Sequence, residues 1–132
     1  MIFVDTSFLY AGIAPDDAQH AAALGLRDRF ATERLVTTNH IRGEAWTLTR
    51  RRKGHREAAT LLEALERQER IEVAHLEAEL ERQALDWLRS HDEREYSFVD
   101  ATSFAFMRAN GITEALAFDG DFAAAGFVEL RP

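Results

Sequence analysis

A chain of 132 residues, 46% hydrophobic and 30% charged, has the size and composition of one folded domain; it is too apolar for a disordered segment and carries no fibrous repeat. It contains no cysteine, which excludes disulfides and thiolate metal sites. The formal net charge of −7 weighs weakly against a nucleic-acid partner, but a whole-chain sum conceals the basic block Arg50-Arg51-Arg52-Lys53, with Arg42 before it and Arg56 after.

In chain order, Ile2-Phe3-Val4 is a short apolar run that predicts a buried strand, and Asp5-Thr6-Ser7 then offers capping chemistry for a helix through Phe8-Leu9-Tyr10. No basic leader precedes Asp5, so no secretory signal is expected. Pro15-Asp16-Asp17 is read as opening a second helix, with Ala21, Leu24 and Phe30 among its apolar positions. Leu35-Val36-Thr37-Thr38 is a second strand, and Asn39 is the expected cap of a helix that carries Ile41, Ala45 and Leu48 and ends at Gly54. A helix over 56–68 has Ala58, Leu61, Leu62 and Leu65 on one stripe; Ile71–Ala74 is a third strand. A helix with Leu80, Ala84, Trp87 and Leu88 follows. A strongly apolar helix then runs from Phe98 to Asn110 and stops at Gly111. Leu116-Ala117-Phe118 reads as a fourth strand and Phe127–Leu130 as a fifth.

Alternating strands and helices predict an α/β domain over 1–132, with a mainly parallel sheet of four to five short strands flanked by helices. No stretch approaches the ~18 apolar residues of a membrane span, so a cytoplasmic protein is expected.

Parallel α/β sheets place ligands outside the carboxyl ends of their strands. Asp5 directly follows the first strand; Asp119 and Asp121 follow the fourth. Glu44 lies little more than a turn into the helix after the second strand, and Asp100 lies in the first turn of its helix, both at the same rim. Glu44 is three residues after Ile41 and four before Leu48; Asp100 is four before Phe104. Both therefore share an apolar stripe and point inward. Converging, partly buried carboxylates require a proton or a partner, and a divalent cation satisfies several at once. Taken singly, each acid has a plainer reading: a helix cap at Asp5, an ion pair at Glu44, a dipole partner at Asp100, a turn at Asp119-Gly120-Asp121. The five histidines are scattered, and His40 is expected to be an exposed helix-start residue.

Four segments together resemble the PIN-domain family, and within it the VapC-like toxins of toxin–antitoxin pairs: Met1–Ser7, Thr37–Glu44, Tyr96–Ser103 and Ala117–Phe122. The resemblance covers essentially the whole chain. It implies a PIN-like fold and an endoribonuclease that uses Mg²⁺ or Mn²⁺, is held by a cognate antitoxin and forms a homodimer. By the same resemblance Asp5 and Asp100 are the foremost metal ligands, Glu44 and Asp119 complete the catalytic acids, and Asp121 is a further ligand. Thr6 and Ser7 are supporting polar groups. For RNA contact the candidates are Arg42, Arg50, Arg51, Arg52 and Lys53; the plainer reading of that block is a solvated helix end.

Two other readings compete. A phosphoacceptor signalling domain also gathers acids at a sheet edge, but needs an acid after a central strand, where this chain has Thr37-Thr38-Asn39. A catalytically silent PIN-like module that binds RNA or protein is the alternative to an enzyme, and the presence of all four acids argues against it.

Overall fold

The computed structural model describes residues 1–132. Five parallel strands, β1 (Ile2–Val4), β2 (Leu35–Thr38), β3 (Ile71–Ala74), β4 (Glu114–Leu116) and β5 (Val128–Glu129), form one sheet in the order β3-β2-β1-β4-β5. Seven helices flank it: α1 (Thr6–Ile13), α2 (His20–Arg29), α3 (Asn39–Lys53), α4 (His55–Arg67), α5 (Ala78–Arg89), α6 (Phe98–Ala109) and α7 (Asp121–Ala124). β1 lies at the centre with all three residues buried, paired to β2 through Phe3↔Val36 and to β4 through Val4↔Leu116. Covered on both faces, it reads as an unbroken apolar run rather than an alternating one.

Within a largely aliphatic core, an aromatic cluster joins the sheet to α6 and α7. Phe3 meets Phe106 and Phe122 at ring-centroid distances of 6.0 and 5.8 Å, and Phe104 stands edge-on to Phe122 at 5.0 Å. α6 is buried without a break from Asp100 to Met107. A helix enclosed on all sides cannot drift, and that immobility is passed to the acid in its first turn. Its start is closed by a capping box: the Ser97 hydroxyl accepts from the Asp100 N–H at 2.9 Å, and the Asp100 carboxylate accepts from the Ser97 N–H at 3.0 Å. Its end follows expectation, with Gly111 at φ 65° and the Ile112 N–H returning to the Met107 carbonyl at 2.9 Å.

The structure corrects four local expectations. Pro15-Asp16-Asp17 forms a turn, and α2 starts only at His20; its buried face is Ala23 and Leu26, not Ala21 and Leu24. The Asp17 carboxylate accepts from the Gln19 N–H at 2.8 Å, a local bond that competes with helix. Thr38, not Asn39, caps α3, its hydroxyl accepting from Ile41 N–H at 3.2 Å; Asn39 instead accepts from the Leu76 N–H at 2.8 Å and ties down the segment after β3. β4 ends at Leu116, where its neighbour β1 ends; beyond it, the Phe118 N–H turns to the Ser7 hydroxyl at 3.0 Å. His40 is half-buried, edge-on to Phe98 at 5.6 Å, and joins the starts of α3 and α6. No helix is long and apolar enough to cross a membrane.

Candidate active site

Asp5 is both a cap and a member of the acidic rim. Its carboxylate accepts from the N–H and the hydroxyl of Ser7 at 3.1 and 2.7 Å and is 2% exposed. Ser7 is thus a tie between β1, α1 and the segment after β4: its hydroxyl donates to Asp5 and accepts from Phe118. Burial, then the nearby Asp119 charge, pushes the Asp5 carboxyl up to about 7 against the Ser7 bonds; Asp100 adds to the rise. Asp100, buried at the head of α6, is pushed up to about 6 chiefly by burial, opposed by its bond from Ser97 and reinforced by Asp121 and Asp119. Asp119 reaches solvent, yet partial burial and the charges of Asp121 and Glu129 hold its carboxyl above the ordinary carboxylate range. Three carboxyls raised together record burial first, and then like charges that the fold brings close.

The carboxylate oxygens of Asp100, Asp119 and Asp121 lie within 4.8 Å of one another. Asp121 is therefore inside the tightest trio. Asp5 adjoins it through Asp119. Glu44, half-buried, lines a cleft of about 520 Å³ whose walls also include Asp5, Thr6, Ser7 and Asp119. Asp119 alone belongs to both the trio and the cleft. The donors are all hard carboxylate oxygens, with no sulfur or imidazole among them, the set that suits Mg²⁺ or Mn²⁺ rather than zinc. Thr6, 5% exposed, lines the same cleft with a buried hydroxyl that has no hydrogen-bond partner.

The basic block divides as the turns of α3 dictate. Arg51 and Arg52 reach the cleft, Arg52 lying 5.1 Å over the ring of Tyr10. Lys53 pairs with Asp16, whereas exposed Arg50 and half-buried Arg42 lie outside the cleft walls.

Two residues at the rim have no signature in the sequence. Arg94, in the segment between α5 and α6, donates from Nε to Asp121 at 2.8 Å and from Nη2 to the Asp119 carbonyl at 3.2 Å. Glu129, buried on β5, accepts from the N–H groups of Gly120 and Ala123 at 3.2 and 3.0 Å and from Arg131 at 2.9 Å. Together they hold the turn that presents Asp119 and Asp121. Gly120, at φ 84°, supplies the left-handed backbone this turn requires.

A central parallel sheet with these acids at its carboxyl rim is the arrangement of one nuclease-type fold, and the PIN domain family model matches residues 2–128; the chain belongs to the PIN domain family. It is 55% identical, over 134 aligned positions covering 100% of this chain and 99% of the relative, to the 23S rRNA-specific endonuclease VapC20 of Mycobacterium tuberculosis, in both strain CDC 1551 / Oshkosh and strain H37Rv. It also aligns end to end with the crystal structure of M. tuberculosis VapC20, described as a sarcin–ricin loop cleaving toxin, with a TM-score of 0.93, 53% identity and 100% of both chains covered. The resemblance carried by the four acidic segments and the expected α/β architecture both hold.

Proposed function

We propose that this protein is a metal-dependent endoribonuclease, the toxin of a toxin–antitoxin pair, and that its substrate is the sarcin–ricin loop of 23S rRNA. The carrying observation is the gathering of Asp5, Asp100, Asp119 and Asp121 at one sheet edge, in a chain 55% identical along its length to an endonuclease of that specificity. Asp5, Asp100 and Asp119 are the principal metal ligands, Asp121 and Glu44 the flanking ones, and residues 1–132 work as a single nuclease domain. A bound Mg²⁺ or Mn²⁺ supplies an activated water and neutralises charge at the phosphorus.

The chain's own groups prepare that chemistry. Ser7 fixes the Asp5 carboxylate, and the capping box fixes Asp100, so the acids are placed before any ligand arrives. Hydrolysis adds water across a P–O bond; without an ion Asp5 and Asp100 hold protons near neutral pH, and they would release them on taking the metal. The unpartnered Thr6 hydroxyl can hold a water at the cleft floor. Arg51 and Arg52 bind phosphates of the incoming strand, as charge-assisted donors do, and give an acidic protein a local anchor for a polyanion. Family membership also supports a cytoplasmic homodimer restrained by a cognate antitoxin.

The test is cleavage of an RNA hairpin with the sarcin–ricin loop sequence, with 5′ ends mapped by primer extension. Cleavage is expected in millimolar Mg²⁺ or Mn²⁺ and not in excess EDTA, and is abolished in Asp5→Asn with its circular dichroism unchanged. Equal cutting in EDTA, or by the variant, refutes the metal-dependent reading; a folded parent that never cuts favours the silent binding module.

A further inference from the structure

Arg94 is the one cation hydrogen-bonded to a carboxylate of the Asp100–Asp119–Asp121 trio. The cleft walled by Arg51 and Arg52 also includes Asp119, and Arg94 is not among its walls. It joins the rim outside those walls, through Asp121 and the carbonyl of Asp119. Asp119 is common to both neighbourhoods: it shares the cleft with the α3 arginines and the carboxylate trio with Asp121, to which Arg94 is bonded. A guanidinium has five N–H donors. Arg94 uses Nε and Nη2 to hold its place, 3.4 Å from where a Cβ on Gly120 would stand, and commits no donor from Nη1. Its side chain is 42% exposed, against 19% for Asp121. The guanidinium is thus oriented by the protein on one edge and open to solvent on the other. For a surface pair that serves stability alone, such a geometry contributes little. For binding a phosphate it is favourable, since the side chain is ordered beforehand.

We propose that Arg94 binds a backbone phosphate of the RNA on the far side of the cleavage position, so that the strand crosses the acidic rim from Arg51 and Arg52 to Arg94. The placement rests on the ribonuclease reading above and adds to it a direction for the strand and a second anchor. It also resolves an electrostatic difficulty. A polyanion must pass directly over four carboxylates, and a cation on each side holds it there, whereas one on a single side leaves the strand free to swing away.

The experiment measures anisotropy of a fluorescein-labelled sarcin–ricin hairpin in EDTA, across a salt series, for the parent, Arg94→Ala, Arg94→Lys and Arg34→Ala. Arg34 is the control: it pairs with Glu72 at 3.1 Å, is exposed, and sits at the opposite end of the strands. Arg94→Ala is expected to weaken binding about tenfold and to lower the salt slope by about 0.7 to 1, the contribution of one phosphate contact. Arg94→Lys recovers most of the slope, and Arg34→Ala matches the parent. In Mn²⁺, Arg94→Ala raises KM more than it lowers kcat. Stabilisation of the protein by Mn²⁺, read from melting curves, is retained in Arg94→Ala, because Glu129 still holds the turn through Gly120 and Ala123 while Asp121 loses a competing cation. Unchanged RNA affinity and salt slope in Arg94→Ala overturn the proposal; lost Mn²⁺ stabilisation alongside them identifies Arg94 as only a brace for Asp121. Cleavage by the parent in the same buffers tests the underlying ribonuclease reading separately.

Discussion

Replacing Asp100 by Asn separates electrostatic strain from structural need at the rim. The Asp100 carboxyl lies at about 6 against an ordinary 3.8, and at about 1.4 kcal/mol per pH unit the ionised form costs the folded state about 3 kcal/mol. The sign follows from proton counting. Between the two values the folded protein retains a proton that the unfolded chain has released, so stability falls as pH rises through that window and the full cost applies above it. Asn cannot ionise and keeps an acceptor for the Ser97 N–H, though a neutral cap is weaker by about 1 kcal/mol. Removing the charge also relieves Asp5, whose carboxyl Asp100 helps to raise. In EDTA at about pH 8, Asp100→Asn should therefore be more stable than the parent by about 1–2 kcal/mol, or roughly 3–8 °C in melting temperature; near pH 4 that advantage should vanish. Millimolar Mn²⁺ should return about 1–3 kcal/mol to the parent, since the ion binds only the folded form, and little to the variant. Melting curves of both proteins at both pH values, with EDTA and with Mn²⁺, make the measurement. If Asp100→Asn melts below the parent at pH 8 in EDTA, the carboxylate is a structural element and the account of a strained rim is wrong. Equal gains from Mn²⁺ in both proteins would show that the ion binds elsewhere.

Two further outcomes follow from the same geometry. At limiting Mn²⁺, cleavage should rise between about pH 6 and pH 8, because Asp5 at about 7 and Asp100 at about 6 must shed protons to take the ion; saturating Mn²⁺ should move the midpoint lower, and a flat profile contradicts this order of events. Glu129→Ala strands the N–H groups of Gly120 and Ala123 and should cost about 2–4 kcal/mol in urea unfolding, with weaker Mn²⁺ binding because the Asp119 turn loosens; a loss under about 0.5 kcal/mol shows that water replaces the carboxylate.

What the sequence discloses and what it hides divide along a physical line. Asp5, Asp100 and Asp119 are legible because each follows a strand or opens a helix, and the rule for parallel sheets then places them together. Arg94 and Glu129 are not, because their meaning lies in partners 27 and 9 residues away across a turn whose shape depends on Gly120. Neighbouring residues of like chemistry are similarly ambiguous. Thr38 and Asn39 are both capping types, and only the pairing of β2 with β3, which brings Leu76 to the Asn39 amide, assigns the cap to threonine. Four basic residues in a row look equivalent until α3 fans them around its axis and leaves Arg51 and Arg52 in the cleft. The plain and the functional readings of Asp5 prove compatible, since the bonds that cap α1 also orient the carboxylate.

The strand order has a consequence for synthesis. β1, made first, pairs on one side with β2, some thirty residues later, but on its other side with β4, which is more than a hundred residues later. Until β4 arrives, one edge of the central strand is open, and Ser7 has no Phe118 N–H to receive. Asp119 is not yet made, and the Glu129 side chain that steadies its turn comes after it. Growing from its amino end, the chain carries Asp5 and Glu44 early, as separate carboxylates on a half-built sheet. The rim closes only when β4 and β5 dock, so a nascent chain lacks the completed acidic edge until the residues through Glu129 have emerged.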